Sequence, residues 1–445
     1  MEMTATTNLN TGILTGLHLT VDGLCACCVF MLSPQLGAHQ AFLLFVAYNV
    51  LAFLTQPFVG LYADRRPRTL PIFKMSLALL MGGAAATAWF CTAPFRPPFL
   101  PYLATFLFGM GNSLFHVYGG KSVATRTGND MRHLGIFVSS GAIGLVVGER
   151  YATLTGLLVT AGLMAVLSYS LTRSCTTERS YTYSLSRPIL THNTFTHRNL
   201  SYGSATSLFL FVLLIVFIRS FMGRMLPAST GSDASYVLLV GLLAFMGKFL
   251  GGFVGRAMGV WTTLTLAMLT AGLCFLLCGW HTLFPLALTL AINLTMPLTL
   301  FLANQQMPHR EGFAFGMLAA TLIPGTALGT YCSTLPFSLP LLYALVATIV
   351  IEACVLLAIR ERRWQVVGIS VVMNIMTNLP LNLFLLANPA LHTSLPVQIG
   401  LECGVVVVES MFYFLVLHDG RKAFSYALLC NAISYLSGLL FTYLY

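Results

Sequence analysis

From residue 11 onward the chain is a succession of long apolar runs separated by short polar corners, and no other property limits its fold so tightly. The runs are about 18 to 25 residues long, the length of helix that crosses the hydrocarbon core of a bilayer. Within that core every backbone amide and carbonyl must find its partner inside a helix or a closed barrel. Barrel strands alternate apolar and polar residues over about ten positions, and these runs do not alternate. The pattern predicts an all-α polytopic membrane protein. Charge agrees with it: 8% of the 445 residues are Asp, Glu, Lys or Arg, where a soluble domain carries roughly 25%.

Six runs are expected near 11–33, 40–63, 70–91, 98–120, 133–149 and 152–172. The stretch 173–204, rich in Ser, Thr, His and Arg and without helical period, reads as a linker. Six more runs fall near 205–223, 234–256, 260–280, 282–303, 312–334 and 338–359, and RERRW then interrupts the chain at 360–364. Three further runs lie near 365–387, 396–417 and 422–444. The organisation so predicted is a first six-helix bundle over 1–172, a cytoplasmic linker over 173–204, a second six-helix bundle over 205–363 and a three-helix extension over 364–445.

The net charge of +10 does not imply nucleic acid, because Lys and Arg are scattered through short loops. Most of them, including Arg65, Arg66, Arg68, Arg126, Arg132, Arg256, Arg360, Arg362 and Arg363, fall on one side when the N-terminus is placed in the cytoplasm. Fifteen spans then put the C-terminus outside. The start MEMTATTNLNTG has no basic leader region, so no cleaved signal is expected. A bacterial inner membrane is the expected location. CACC at 25–28 resembles a metal cluster, yet one helix cannot aim three Cys at one ion, and no His stands at ligand spacing beside them. These Cys read as small packing residues, and neither a metal nor a cofactor is expected.

Between the second and third spans stands GLYADRRPR, positions 60–68. Gly60 permits close helix approach. Asp64 and Arg65 fall at the membrane edge, where an acid can accept hydrogen bonds from the N-terminus of a neighbouring helix. A related stretch, GGFVGRAMG at 251–259, follows the eighth span; Gly251 answers Gly60, Arg256 answers Arg65, and Gly255 stands where the Asp would be. Paired landmarks in two six-helix halves are what a duplicated transporter shows.

The pattern G-x-x-x-D-R-x-x-R after the second span resembles the signature loop of the major facilitator superfamily. In that family the loop latches the two bundles together, so Gly60, Asp64, Arg65 and Arg68 are expected to act as a conformational motif, with Pro67 where Gly is usual. A narrower likeness, to fosmidomycin-resistance efflux proteins, rests on HLTVD (18–22), LTQPFVGLYAD (54–64), GMGNSLFH (109–116) and ANQQMPHREGFAFG (303–316). Val117 and Tyr118 depart from its Pro-Glu. GAIGLVVGER at 141–150 keeps Gly141, Gly144 and Gly148 of the antiporter motif's glycine ladder, with Glu149 in place of its Pro.

Ionisable groups inside a bilayer are costly and so are candidates for function. Asp22 lies near the middle of the first span with His18 one turn before it. It is the candidate proton carrier; a structural hydrogen bond is the alternative. Asn112 and His116 share a face of the fourth span, and the resemblance implies that spans 1, 4, 7 and 10 line one cavity. Arg219 and Asn293 belong to that set. Arg219 is open between pairing with Asp22, binding an anion and snorkelling, and Asn293 reads more as packing. Glu149, Arg150 and Lys248 read as gate or surface charges. In the extension Asn374, Asn378 and Asn382 form one stripe, and Glu402 and Glu409 share a face as a candidate second site or as glue between helices.

No phosphate-cradling loop, H-E-x-x-H or G-x-S-x-G occurs, so no enzyme is expected. The expected function is secondary active transport of a small molecule by alternating access, proton-coupled, with efflux favoured. Uptake of a nutrient or organic anion is the alternative, and so is a non-transporting scaffold or sensor. The expected partners are the solute, protons and the bilayer, with an oligomer or partner contact through 364–445.

Overall fold

The computed structural model describes residues 2–66, 68–177, 202–225, 234–277, 281–333, 348–349, 351–352, 355–356, 358–359, 361, 364–387 and 394–444. Its elements are α1 (Glu2–Leu32), α2 (Ala38–Asn49), α3 (Gln56–Asp64), α4 (Leu70–Thr92), α5 (Leu100–Arg126), α6 (Met131–Arg150) and α7 (Leu154–Thr177), then α8 (Tyr202–Met225), α9 (Ala234–Met258), α10 (Val260–Leu276), α11 (Leu283–Gln306) and α12 (Glu311–Ser333). α13 (Trp364–Ala387), α14 (Leu395–Leu417) and α15 (Gly420–Leu444) complete the described chain. Among the described residues, 10 helices are long and apolar enough to cross a membrane. Most of the linker expected at 173–204 and of the twelfth span expected at 338–359 lies outside the described residues.

The second span, expected over 40–63, is present as Ala38–Asp64 but is not one uninterrupted α-helix. A π turn at Val50–Leu54 divides it into α2 and α3. Pro57 has no amide to bond the carbonyl of Phe53 four residues earlier, and the backbone widens ahead of it. Thr55 at the break bonds Ser113 of α5 (2.7 Å), so the bend is held from its side. Elsewhere Pro stands in the first turn of α4, α5 and α14, where the missing amide costs nothing.

A continuous buried core runs through α1, α4, α5 and α6 into α8, α10, α11 and α12. Large apolar side chains on the outer faces stay exposed, Phe58 at 72% and Trp89 at 60% among them, as a bilayer solvent permits. The two bundles meet most extensively through two pairs of helices, α3 with α12 and α6 with α9. These pairs hold corresponding positions in the two halves, so the paired landmarks of the sequence become the two contacts of a pseudo-symmetric assembly. A smaller core ties Val355 and Leu356 to α13, α14 and α15. The extension lies against α8 and α10, with an apolar cavity of about 280 Å³ lined by Met222, Met268, Val371 and Val372 between them.

Candidate functional site

On α1, His18 and Asp22 are four residues apart and therefore on one face; His18 Nε2 lies 3.2 Å from Asp22 Oδ2. On α5, Asn112 and His116 repeat that spacing. The two helices bring His116 Nε2 to 3.4 Å from Asp22 Oδ1 and 3.0 Å from His18 Nε2. Asn112 Nδ2 donates to Asp22 Oδ1 at 3.2 Å, and the Oδ1 of the same amide has no partner. All four residues are buried. His18, Asp22 and His116 each offer one ligand atom, all within 4.8 Å of one another.

Backbone carbonyls fix which ring nitrogens carry protons. His18 Nδ1 lies 2.7 Å from Phe137 O, and His116 Nδ1 lies 3.0 Å from Asn112 O. A carbonyl only accepts, so both Nδ1 atoms are donors and both Nε2 atoms turn their lone pairs inward. Phe137 stacks on the His18 ring at 4.7 Å, and Phe315 of α12 closes on His116 at 6.5 Å. The ladder of Gly141, Gly144 and Gly148 is what lets α6 come this close to α1. A Cβ at Gly141 would overlap Asp22 Oδ2, one at Gly144 would overlap Leu19 O, and one at Gly148 would overlap Gly23 O.

The facing bundle supplies cations. Lys248 of α9 is within electrostatic reach of Asp22 and of Arg219. Arg219 on α8 is buried, and its Nη1 has no hydrogen-bond partner. Among the described residues it makes no hydrogen bond to Asp22. Asn293 Nδ2 donates to Thr289 O one turn back at 2.7 Å, and its Cβ lies where Gly247 of α9 leaves room.

The contact expected to act as a latch lies beside the Arg-rich loop. Asp64 at the end of α3 accepts from the amides of Gly312 (3.0 Å) and Phe313 (2.8 Å), the first turn of α12, where the helix dipole favours a carboxylate. Gly60 passes so close to Gly312 that a Cβ would overlap its carbonyl. Lys121 Nζ pairs with Asp64 Oδ1 at 3.0 Å and donates to Ala63 O at 2.8 Å. Arg65 and Arg68 are exposed beside this contact.

The second latch explains why Gly255 stands where an Asp was expected. The acid has moved to Asp130, the N-cap of α6, which accepts from Arg132 N at 2.9 Å and pairs with Arg256 Nη1 across the bundles at 3.0 Å. Burial alone would raise the Asp130 carboxyl, but hydrogen bonds from Arg132 and the charges of Arg132 and Arg256 outweigh it and hold the group below the ordinary carboxylate value. Asn129, in the left-handed region at φ 61°, joins the contact by donating to Phe301 O (3.0 Å) and accepting from Asn304 (2.9 Å). Glu149 and Arg150 are exposed at the far end of α6.

In the extension a second polar chain is buried. Glu352 accepts from Ser370 (3.0 Å) and Asn374, while Glu409 accepts from Thr377 (2.9 Å) and Asn431. Asn378 bonds Asn374 Oδ1 at 2.7 Å, and Asn382 bonds Asn378 O at 2.8 Å, so the Asn stripe ties α13 along its own length and outward. Glu402 is only half-buried on α14; the acid that shares the polar chain with Glu409 is Glu352.

Four polar contacts were not anticipated in the sequence: His18 with His116, Lys121 with Asp64, Asp130 with Arg256, and Glu352 in the extension. Only Asp130 carried a local signal, an acid directly before a helix start.

No family model matches the chain, and no curated protein matches it by sequence. Among solved structures, the chain is similar to the fucose:proton symporter FucP of E. coli, with 13% identity, a TM-score of 0.53, and 73% of this chain and 91% of that chain covered. A major facilitator superfamily transporter described as FucP in the outward conformation gives 13% identity and a TM-score of 0.55 over the same shares. A bacterial homologue of the iron transporter ferroportin, in an outward-facing state, gives 14% identity and a TM-score of 0.50 over 85% of this chain and 99% of that one. At these identities the likeness establishes the fold: this is the major facilitator fold.

Proposed function

We propose that the chain is a secondary transporter that moves a small solute by alternating access, coupled to a cation seated between His18, Asp22 and His116. One observation carries this: two imidazole lone pairs and a carboxylate converge inside the first bundle, beside side chains of the second. Three acceptors cannot face one another in a low-dielectric interior without positive charge between them. Proton coupling is the single-charge form of this reading.

With the Arg-rich loops in the cytoplasm, both latches are closed on the cytoplasmic side, and the conformation is outward-facing. Efflux, with the cation entering as solute leaves, is the direction suggested by the efflux-type motifs and the glycine ladder; uptake reverses the sign of the same measurement.

Liposomes with and without the protein, given an imposed proton or metal-ion gradient and a panel of labelled solutes, test the reading. Gradient-driven movement of at least one solute is expected, and Asp22→Asn should abolish it while spin labels still report both conformations. Undiminished gradient-driven flux in Asp22→Asn would remove the cluster from the mechanism.

A further inference from the structure

Among the buried charged clusters described above, the His18–Asp22–His116 triangle specifies its occupant most closely. Its edges are His18 Nε2 to His116 Nε2 at 3.0 Å, His18 Nε2 to Asp22 Oδ2 at 3.2 Å, and His116 Nε2 to Asp22 Oδ1 at 3.4 Å. Both Nδ1 atoms are committed to Phe137 O and Asn112 O, so the inward nitrogens have only lone pairs or an added proton to offer. With no added proton, all three edges set acceptor against acceptor. One proton on His18 serves the two edges that meet there and leaves His116 against the carboxylate. Protons on both rings set donor against donor along the 3.0 Å edge. With the carboxylate ionised, one edge is repulsive at each of these counts, and a multivalent ion at the centre satisfies all three.

The dimensions fit such an ion. A tetrahedral ion with ligand bonds of about 2.05 Å holds its donor atoms about 3.3 Å apart; the two imidazole nitrogens stand 3.0 Å apart, and each lies within 3.4 Å of a different oxygen of Asp22, so both carboxylate oxygens face the ion. Imidazoles oriented by backbone carbonyls on the opposite nitrogen are how metal-binding His are held in place. Asn112 plays the same part for Asp22, and its partnerless Oδ1 is one more oxygen beside the carboxylate. Phe137 and Phe315 form an apolar wall around the rings.

We propose that His18, Asp22 and His116 bind one divalent first-row transition-metal ion, of the zinc, manganese or ferrous class, and that this ion is carried as cargo. Two imidazoles and a carboxylate without thiolate suit borderline dications. Three protein ligands leave a position open, as in exchangeable sites, whereas structural zinc is closed by four. Lys248 on the facing bundle repels a bound dication, which favours release as the bundles rearrange around the site. The cargo role rests on the transporter reading above; the binding does not.

The test uses the full chain in lipid nanodiscs, stripped with chelator and titrated with Co²⁺ by visible spectroscopy and with Zn²⁺ by competition. One ion per chain with the bands of a low-symmetry N/O site is expected. Asp22→Ala and His116→Ala should each weaken it about 100-fold or more, since even loss of an outer-shell partner costs about 10- to 100-fold. Gly141→Ala, which keeps every ligand but crowds Asp22, should weaken it about tenfold, and exposed His39→Ala and His418→Ala should leave it unchanged. Lys248→Met should tighten it several-fold, a gain that no folding defect produces. Co²⁺ binding that survives both His18→Ala and His116→Ala would overturn the site. Proton flux that depends on Asp22, with no metal bound at the cluster, would overturn it too and leave the transporter reading standing. Radioactive zinc bound at the cluster but never crossing liposomes that move another solute would overturn the cargo role alone. Metal bound at the cluster of a protein whose latches never open would overturn the transporter reading and spare the site.

Discussion

Removing the charge from Asp64 should open the latch that joins α3 to α12. Asp64→Asn keeps the size of the side chain and one carbonyl acceptor for the amides of Gly312 and Phe313, but it leaves Lys121 without a counterion. The side chain of Lys121 is 9% exposed and that of Asp64 6%, so the pair is buried while the latch is closed. Breaking one partner of such a pair costs about 3 to 5 kcal/mol. Lys121 retains Ala63 O as an acceptor at 2.8 Å, which places the loss at the lower end. If opening lets water reach the ammonium, the penalty falls on the closed state alone. About 3 kcal/mol then shifts the closed-to-open ratio by roughly 150-fold, at about 1.4 kcal/mol per factor of ten. Spin labels at the exposed positions 68 and 310, on opposite sides of the latch, measure the two states as two distances. The long distance should dominate in Asp64→Asn, and adding Lys121→Met, which removes the stranded charge, should restore much of the short one. Unchanged distances in Asp64→Asn, or a double variant as open as the single, would refute the account of Lys121 as the source of the energy.

Gly60→Val should likewise abolish the closed state, because its side chain would occupy the carbonyl of Gly312; labels at 68 and 310 should then report one long distance, and a short one would show that α3 and α12 can part without opening. The Asp130–Arg256 latch depends on an acid held below its ordinary value of 3.8, so its stabilisation is present above that value and is lost as pH falls through the lower, folded one. Labels across α6 and α9 should give one distance from about pH 5 to 8, lengthening only in stronger acid, and Asp130→Asn should give the acid result at about pH 7. In the extension, Asn374→Leu strips a donor from Glu352, whose Oε1 already has no partner, and should cost about 1 to 3 kcal/mol. A lowered Tm that Glu352→Leu then recovers in the double variant checks this, and an additive loss would contradict it.

The latch at Asp64 could be read ahead because it depends on local features: an acid at a helix end, a glycine one turn before it, and a position fixed by the count of spans. The opposite latch was hidden. Arg256 was visible as the counterpart of Arg65, but its acid lies in a different loop, at Asp130, and no local spacing connects the two. His18 and Asp22 were legible as neighbours through the four-residue period of one helix. That His116 completes a triangle with them depends on how α1 and α5 pack, and on the glycine face of α6 that presses Asp22 into place. For Arg219 three roles were open from the sequence, and its burial with an unpartnered Nη1 could not be read from any local spacing.

The order of apolar runs and charged corners, by itself, determined that the chain is helical, crosses a membrane and repeats a six-helix plan, because a bilayer interior admits few alternatives for an unpaired backbone. It also determined which helices carry costly polar groups. Tertiary structure alone decided which of those groups meet, since contacts between spans separated by about a hundred residues depend on helix rotation and depth, and neither leaves a periodic trace in the chain. Whether a buried acid and two imidazoles are three isolated residues or one cation site is decided by a few ångströms of packing between α1, α5 and α6.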